Sequence, residues 1–321
     1  MLAVSAARID ADDPLTGVEI DECPEPDVAQ GWTTVQVKAA ALNHHDLWTL
    51  RGVGISAERL PIVLGCDAAG HDSNGNPVIV HAVISDSEWL GDETEDPQRS
   101  LLSERYDGTF AEMVAVPRRN LVPKPEGLSF EEAACLPTAW LTAYRMLFAK
   151  AGLRPGQTVL VQGAGGGVST ALVAVGTACG LRVWVTSRDE GKRARAVELG
   201  ADEAFPSGAR LPERVDAVME TVGEATWAHS LRALRPGGTL VVSGATSGSA
   251  PSADLSHVFF RQLRVVGSTM GTRQELEQLA RLCAARKIRP IIDTVMPLSE
   301  AREGFAKLAA GEVFGKIVFT V

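Results

Sequence analysis

Residues 158–173 read TVLVQGAGGGVSTALV. An apolar run of strand length enters a turn made of Gly163, Ala164, Gly165, Gly166 and Gly167, and a helix-forming run leaves it. Strand, glycine turn and helix together form the arrangement in which backbone N–H groups at a helix N-terminus receive a phosphate. The helix dipole helps, and small residues let the anion come close. The best register puts Ala164, Gly166 and Ser169 at the three small-residue positions, with Ala164 and Ser169 each adding a Cβ. A flexible glycine turn with no ligand is the competing reading, so the flanking sequence has to decide.

Strand and helix patterns alternate downstream. LRVWVTS (181–187) reads as a strand and DEGKRARAVELG (189–200) as a helix closed by Gly200. VDAVMETV is a strand, TWAHSLRAL a helix, RPGG a turn and TLVVSG a strand; FFRQL makes a helical turn before the strand RVVGS. Apolar strands without polar alternation, interleaved with helices, predict a doubly wound parallel sheet covered on both faces. A dinucleotide fold that selects NAD offers an acid at the tip of its second strand. Here that tip is Thr186-Ser187-Arg188. Ser187 and Arg188, with Lys192 one helical turn on, suit the 2′-phosphate of NADP. Asp189 argues the other way but also suits the first turn of the next helix. Solvated surface charge is the alternative for Arg188 and Lys192.

Upstream the texture differs. VEIDEC, TTVQVKAAAL, PVIVHAVI and FAEMVAV read as strands among glycine and proline punctuation, with little helix before residue 123. Residues 85–108 read as a polar loop whose DETED run forms a solvated face. Ser129 is an N-cap candidate with acids in the first turn. Pro137 is expected to break that helix, with a second starting near Ala139. After Thr272 come a helix (RQELEQLARLCAARK), a strand region (PIIDTVMPL), another helix and a last strand, GKIVFTV.

A chain of 321 residues suggests about two domains. A net charge of −9 argues against nucleic acid as a general partner. No apolar run approaches the ~18 residues of a membrane span, and the N-terminus lacks the pattern of a secretory signal. The five cysteines are scattered without CxxC spacing, which suits a reducing cytoplasm.

Taken together, AALNHHDLWTLRG (40–52), PIVLGCDAAG (61–70), DGTFAEMVAVP (107–117), LSFEEAACLPTAWLTAYRML (128–147), VQGAGGGVS, LRALRPGGTLVVSGATSG (231–248), FFRQLRVVGSTMG (259–271) and FGKIVF (314–319) resemble the medium-chain dehydrogenase/reductase superfamily on its quinone oxidoreductase-like, zinc-less side. The resemblance covers nearly the whole chain. It implies a GroES-like β-barrel catalytic domain from 1–123 and 268–321, a Rossmann domain from 124–267, and an active cleft between them. At the positions of the family's Cys-His-Cys zinc ligands stand Asn43, Cys66 and Thr138, Asp67 replaces the usual Glu, and the 85–108 loop lacks the cysteines of a structural zinc lobe. Both zinc sites therefore read as lost; a site rebuilt from Cys66, Asp67 and His44 or His45 is the alternative.

The chemistry implied is hydride transfer from NADPH to a quinone or an α,β-unsaturated carbonyl. Asn43 is expected to bond the nicotinamide ribose or the substrate oxygen, or to stabilise a turn. His45 is expected to donate a proton or to be a loop histidine, Asp46 to support the loop, and Thr138 to face the reacting groups. Thr142, Gly165, Gly166, Gly167 and Val168 are expected on the cofactor. So are Ser243, Gly244, Ala245 and Thr246 at one strand end, Ser268, Thr269, Met270 and Gly271 at the next, and Phe314 and Lys316. Trp140 either packs or touches substrate, Tyr144 reads as helix packing, and Tyr106 has no assigned role. By the same resemblance RVVGS pairs with a second copy, giving a homodimer. Two other readings stay open: an alcohol or carbonyl dehydrogenase with a rebuilt metal site, and a non-catalytic NADPH-binding protein.

Overall fold

The strand entering the glycine turn is the centre of a six-stranded, fully parallel sheet. The computed structural model describes all 321 residues, and the sheet lies in the unit Thr142–Thr269. Its strands are β1 (Thr158–Gln162), β2 (Arg182–Ser187), β3 (Glu203–Pro206), β4 (Val215–Glu220), β5 (Leu234–Val242) and β6 (Arg264–Gly267). They lie in the order β3-β2-β1-β4-β5-β6. This is the Rossmann order, with its reversal between β1 and β4. Helices α1 (Gly167–Ala178), α2 (Glu190–Glu198), α3 (Glu224–Ala233) and α4 (Leu255–Phe260) make the crossovers. β1 is buried throughout, which is why its sequence shows no polar alternation. Leu160, Trp184, Val218, Leu231 and Leu240 share one core. β3 is not legible from the sequence: its four residues are only half-buried or exposed at the sheet edge. RPGG, read as a turn, bulges out of β5 between Leu234 and Thr239, where the pairing with β4 skips these residues and Gly237 has φ of +74°.

The second unit joins Met1–Leu141 to Met270–Val321. Its longest strand, Trp32–Ala41, pairs antiparallel with Asp67–Asp72, Met113–Pro117 and the final strand Lys316–Thr320. The last strand thus completes a sheet begun by the first forty residues, and brings Lys316 beside the end of the Trp32–Ala41 strand. Leu2–Ala6, Val18–Glu22 and Ile62–Val63 form a smaller sheet. Phe110, Phe305 and Phe319 anchor the core, with Phe110 and Phe319 edge to face at 5.2 Å.

The sequence placed the first boundary at Pro123, whereas the structure divides the chain after Leu141. The reason is local. The helix Phe130–Ala134 packs on the strands Trp32–Ala41 and Asp67–Asp72, with the Phe130 ring on His71 at 4.9 Å. Ser129 caps this helix reciprocally with Glu132, as expected. Pro137 does not break the run. It sits in a wide turn, Leu136–Trp140, where the Leu141 amide reaches back five residues to the Leu136 carbonyl. Widening the turn accommodates a residue with no N–H to donate. A helix the sequence reading missed, His44–Leu50, starts after Asn43.

The 85–108 loop is not simply a solvated face. Asp96 is 2% exposed; its carboxylate accepts the amides of Asp86 and Gln98, both at 2.7 Å. Those two bonds hold its pKa below the ordinary value. Asp92 accepts the Thr94 amide and hydroxyl, Glu104 accepts the Leu101 amide, and the Arg119 guanidinium donates to the Ser85 carbonyl. Carboxylate–amide bonds fold this loop locally.

Candidate active site

In the Rossmann unit the ends of the parallel strands face the turns expected to meet a dinucleotide. Gly163 and Gly165 have φ of +78° and +111°, in the region that favours glycine. Both amides of Gly163 and Ala164 donate to the Thr186 carbonyl, at 3.1 and 2.8 Å, which ties the glycine turn to the tip of β2. Gly166 is the N-cap of α1. A Cβ built on it would meet only the Ser169 hydroxyl oxygen, at 3.7 Å. Space beside a helix N-terminus is therefore open, and the amides of Gly167 and Val168 lie in its first turn. Ser169 is 3% exposed and spends its hydroxyl on the Gly166 carbonyl at 3.0 Å, so it replaces a third glycine without intruding.

At the tip of β2, Ser187 is buried and Arg188 exposed. Asp189 is the N-cap of α2, its carboxylate accepting the Lys192 amide at 2.7 Å. It therefore serves the helix, which leaves the serine and arginine as the tip. Arg193, not singled out from the sequence, donates to the Ser187 carbonyl at 2.8 Å. At the end of β5 the Ser243 hydroxyl donates to the Met146 sulfur at 3.1 Å, Gly244 and Ala245 are half-buried, and Thr246 is exposed. After β6 the Ser268 hydroxyl is buried without a partner, while Thr269 is exposed and Thr142 buried.

In the other unit a compact ionic cluster forms around Asn43. Lys316 is 2% and Asp67 0% exposed. The Lys316 ammonium donates to the Leu42 carbonyl at 2.8 Å, the Asn43 Oδ1 at 2.6 Å and the Asp67 Oδ2 at 3.1 Å. Asn43 Nδ2 donates to the Asp67 Oδ2 at 2.9 Å and the Ala41 carbonyl at 3.1 Å. Asp46 accepts the Asn43 amide at 2.8 Å and the Gly65 amide at 3.1 Å, bonding the start of the helix His44–Leu50 to Gly65. Its carboxyl is pushed up to about 7 by burial, against the pull of those amides and of Lys316.

Two expectations change here. All three protons of Lys316 and both amide protons of Asn43 are spent inside the protein, so the geometry assigns these side chains to each other rather than to a cofactor. Phe314 is buried and its amide donates to Asp293 at 3.1 Å. Met270 packs with Cys66, Ala82 and Val83. Tyr144 stacks edge-on against Phe148 at 5.0 Å, as helix packing, and Tyr106 lies against Trp32 at 5.0 Å.

Around this cluster several buried polar atoms have no partner within the chain: Asp67 Oδ1, His45 Nε2, Thr138 Oγ1 and Trp140 Nε1. Burial lowers the His45 pKa, against the opposing pull of Glu104 and Asp67, so its ring is neutral near pH 7. The donor set does not suit zinc. Cys66 donates its thiol proton to the Leu102 carbonyl at 3.2 Å, and burial pushes that thiol well above its ordinary pKa. An ammonium already occupies Asp67, and no group of three His, Cys, Asp or Glu side chains is disposed to hold an ion.

Two family models match the chain. A model described as "Alcohol dehydrogenase GroES-like domain" matches residues 29–126, and one described as "Zinc-binding dehydrogenase" matches residues 167–285. An acryloyl-coenzyme A reductase of Metallosphaera sedula is 32% identical over 95% of this chain and 96% of that protein. The chain belongs to the medium-chain dehydrogenase/reductase superfamily. As such it is an NAD(P)H-dependent oxidoreductase with a GroES-like domain and a Rossmann sheet. A crotonyl-CoA carboxylase/reductase of Cereibacter sphaeroides is 28% identical over 92% of this chain and 81% of that protein. A crystal structure described as an NAD-dependent alcohol dehydrogenase superimposes with a TM-score of 0.92 at 35% identity, covering 100% of each chain.

Proposed function

We propose that this dehydrogenase/reductase is an NADPH-dependent reductase of α,β-unsaturated carbonyl compounds or quinones, working without catalytic zinc. One observation carries the reading: the buried Lys316–Asp67–Asn43 cluster, with a protonated Cys66 beside Asp67 in the chain, takes the donors that a zinc ion would need. Reduction of an activated alkene or quinone needs no Lewis acid as strong as zinc, because the acceptor carbon is already electron-poor. The relatives named for acryloyl- and crotonyl-CoA reduction support the activated alkene.

A bound NADPH would supply the hydride from its nicotinamide ring. In this reading the amides of Gly167 and Val168 take the pyrophosphate, and Ser187 and Arg188 take the 2′-phosphate. The unpartnered Thr138 hydroxyl and Trp140 indole N–H offer hydrogen bonds to a substrate oxygen. His45, neutral and unpartnered at Nε2, exchanges a proton there with substrate or water. β6 is the edge strand of its sheet, with Val265 exposed, which supports pairing with a second copy.

A second reading, an alcohol dehydrogenase, is favoured by the likeness to the structure described as NAD-dependent alcohol dehydrogenase. The deciding experiment is oxidation of NADPH and NADH by metal-stripped protein with a panel of enones, enoyl-CoA thioesters and quinones. Turnover with NADPH and no added metal is expected. Activity that appears only with added zinc, and with alcohol or aldehyde substrates, would select the second reading.

A further inference from the structure

Inside the Rossmann unit a chain of buried polar side chains runs beneath the ends of β2, β1 and β4. The Thr186 hydroxyl donates to Gln162 Oε1 at 2.5 Å. Gln162 Nε2 donates to Ser230 Oγ at 3.0 Å and lies 2.9 Å from His229 Nδ1. Ser230 Oγ donates to Glu220 Oε2 at 2.6 Å. The Glu220 carboxylate also accepts the Thr226 hydroxyl at 2.9 Å and the amides of Val222 at 2.8 Å and Gly223 at 3.0 Å.

The proton positions follow from chemistry alone. His229 Nε2 lies 2.9 Å from the Ala209 carbonyl, which can only accept, so that nitrogen carries the ring proton. Nδ1 must then accept, and only the amide nitrogen of Gln162 can supply it. This fixes the Gln162 amide with its oxygen toward Thr186. Every member has its partner, and reversing the Gln162 amide would set its oxygen against the Nδ1 lone pair of His229, an acceptor facing an acceptor.

We infer that Thr186, Gln162, Ser230 and Glu220 are positioning residues that hold the 2′-phosphate end of the cofactor site in register. Thr186 is the hinge of the arrangement. Its side chain is held from below by Gln162, and its carbonyl receives the Gly163 and Ala164 amides. Its neighbours along the chain are Ser187 and Arg188. The same network ends at the amides that shape the turn after β4. A shift at Thr186 therefore moves the strand tip that reads the phosphate and the glycine turn that reads the pyrophosphate. This rests on the NADPH reading above.

The test compares Thr186→Val, which keeps the shape and removes the hydroxyl, with Thr186→Ser, which keeps the hydroxyl. The readout is the ratio of dissociation constants for NADH and NADPH, measured by cofactor fluorescence on the full chain. Wild-type protein is expected to prefer NADPH. Thr186→Val is expected to lower that preference about tenfold while Thr186→Ser retains it, because small misplacements of a binding group are amplified in affinity. Ser230→Ala, which cuts the chain further from the strand tip, provides the same comparison should Thr186→Val fold poorly. An unchanged ratio in both Thr186→Val and Ser230→Ala, at whatever cost in melting temperature, would overturn the inference and leave the NADPH reading standing. A wild-type protein with no preference for NADPH would overturn both.

Discussion

The two units each bury a carboxylate at the heart of a polar cluster, and the clusters differ in kind. Glu220 is surrounded by neutral donors, two hydroxyls and two backbone amides, and no atom of its network lacks a partner. Asp67 is paired with an ammonium and an amide through one oxygen, while its other oxygen and nearby polar atoms have none. A closed network fixes geometry. An open one leaves buried polar atoms that must be satisfied from outside the chain or carried as a cost in stability. In the function proposed above, the closed cluster serves as scaffold and the open one lines the site.

The largest expected effect comes from breaking the open cluster at its cation. Lys316→Met leaves Asp67 as an unpaired buried charge and should cost about 3–5 kcal/mol, read as a fall in the urea midpoint. Adding Asp67→Asn to Lys316→Met should recover most of the loss. By contrast Ser230→Ala in the closed cluster removes one neutral donor and should cost about 1–3 kcal/mol. Equal costs would erase the distinction.

The next test uses protons. Asp46, pushed up to about 7, holds its proton in the fold where the unfolded chain, near ~3.9, has released it. Its contribution is full in acid and lost as pH rises toward 7. His81 acts in the opposite sense. It is 1% exposed with neither ring nitrogen partnered, and burial drives its pKa down to about 3. Its contribution is full above the free-histidine value and lost as pH falls. The two slopes oppose each other between about pH 4 and 6.5. His81→Leu should unmask the Asp46 slope, so that the variant gains up to about 3 kcal/mol on acidification across that window relative to wild type. A variant whose pH profile parallels the wild type would remove His81 from the account.

The smallest effect concerns space rather than charge. Gly166→Val should weaken both NADPH and NADH by about a hundredfold or less, with the melting temperature nearly unchanged, because its Cβ meets only the Ser169 hydroxyl. Unchanged affinity would take the open space beside α1 out of the cofactor site.

Much of the Rossmann unit is readable because its central strands are continuous apolar runs and its helices start at a glycine or at a capping aspartate. Asp189 announces α2 within three residues, and in the other unit Ser129 does the same for the helix Phe130–Ala134. What escapes a linear reading is pairing at a distance. Lys316 and Asp67 are 249 positions apart, and Gln162 and His229 are 67 apart. Nothing in FGK or GCD says that these side chains meet, so Lys316 reads as a cofactor contact until the fold assigns it to Asp67. The helix His44–Leu50 is missed because Asn43 and Asp46 read as chemistry, although the same residues start the helix. Pro137 misleads because a proline's missing N–H can be absorbed by a wider turn as well as by a break.

The 85–108 loop carries one more consequence. Its shape depends on aspartates and a glutamate accepting nearby amides, and on an arginine reaching the Ser85 carbonyl. It contains no cysteine. The bonds that shape it are carboxylate–amide and guanidinium–carbonyl contacts, so its shape does not depend on the redox state of a thiol.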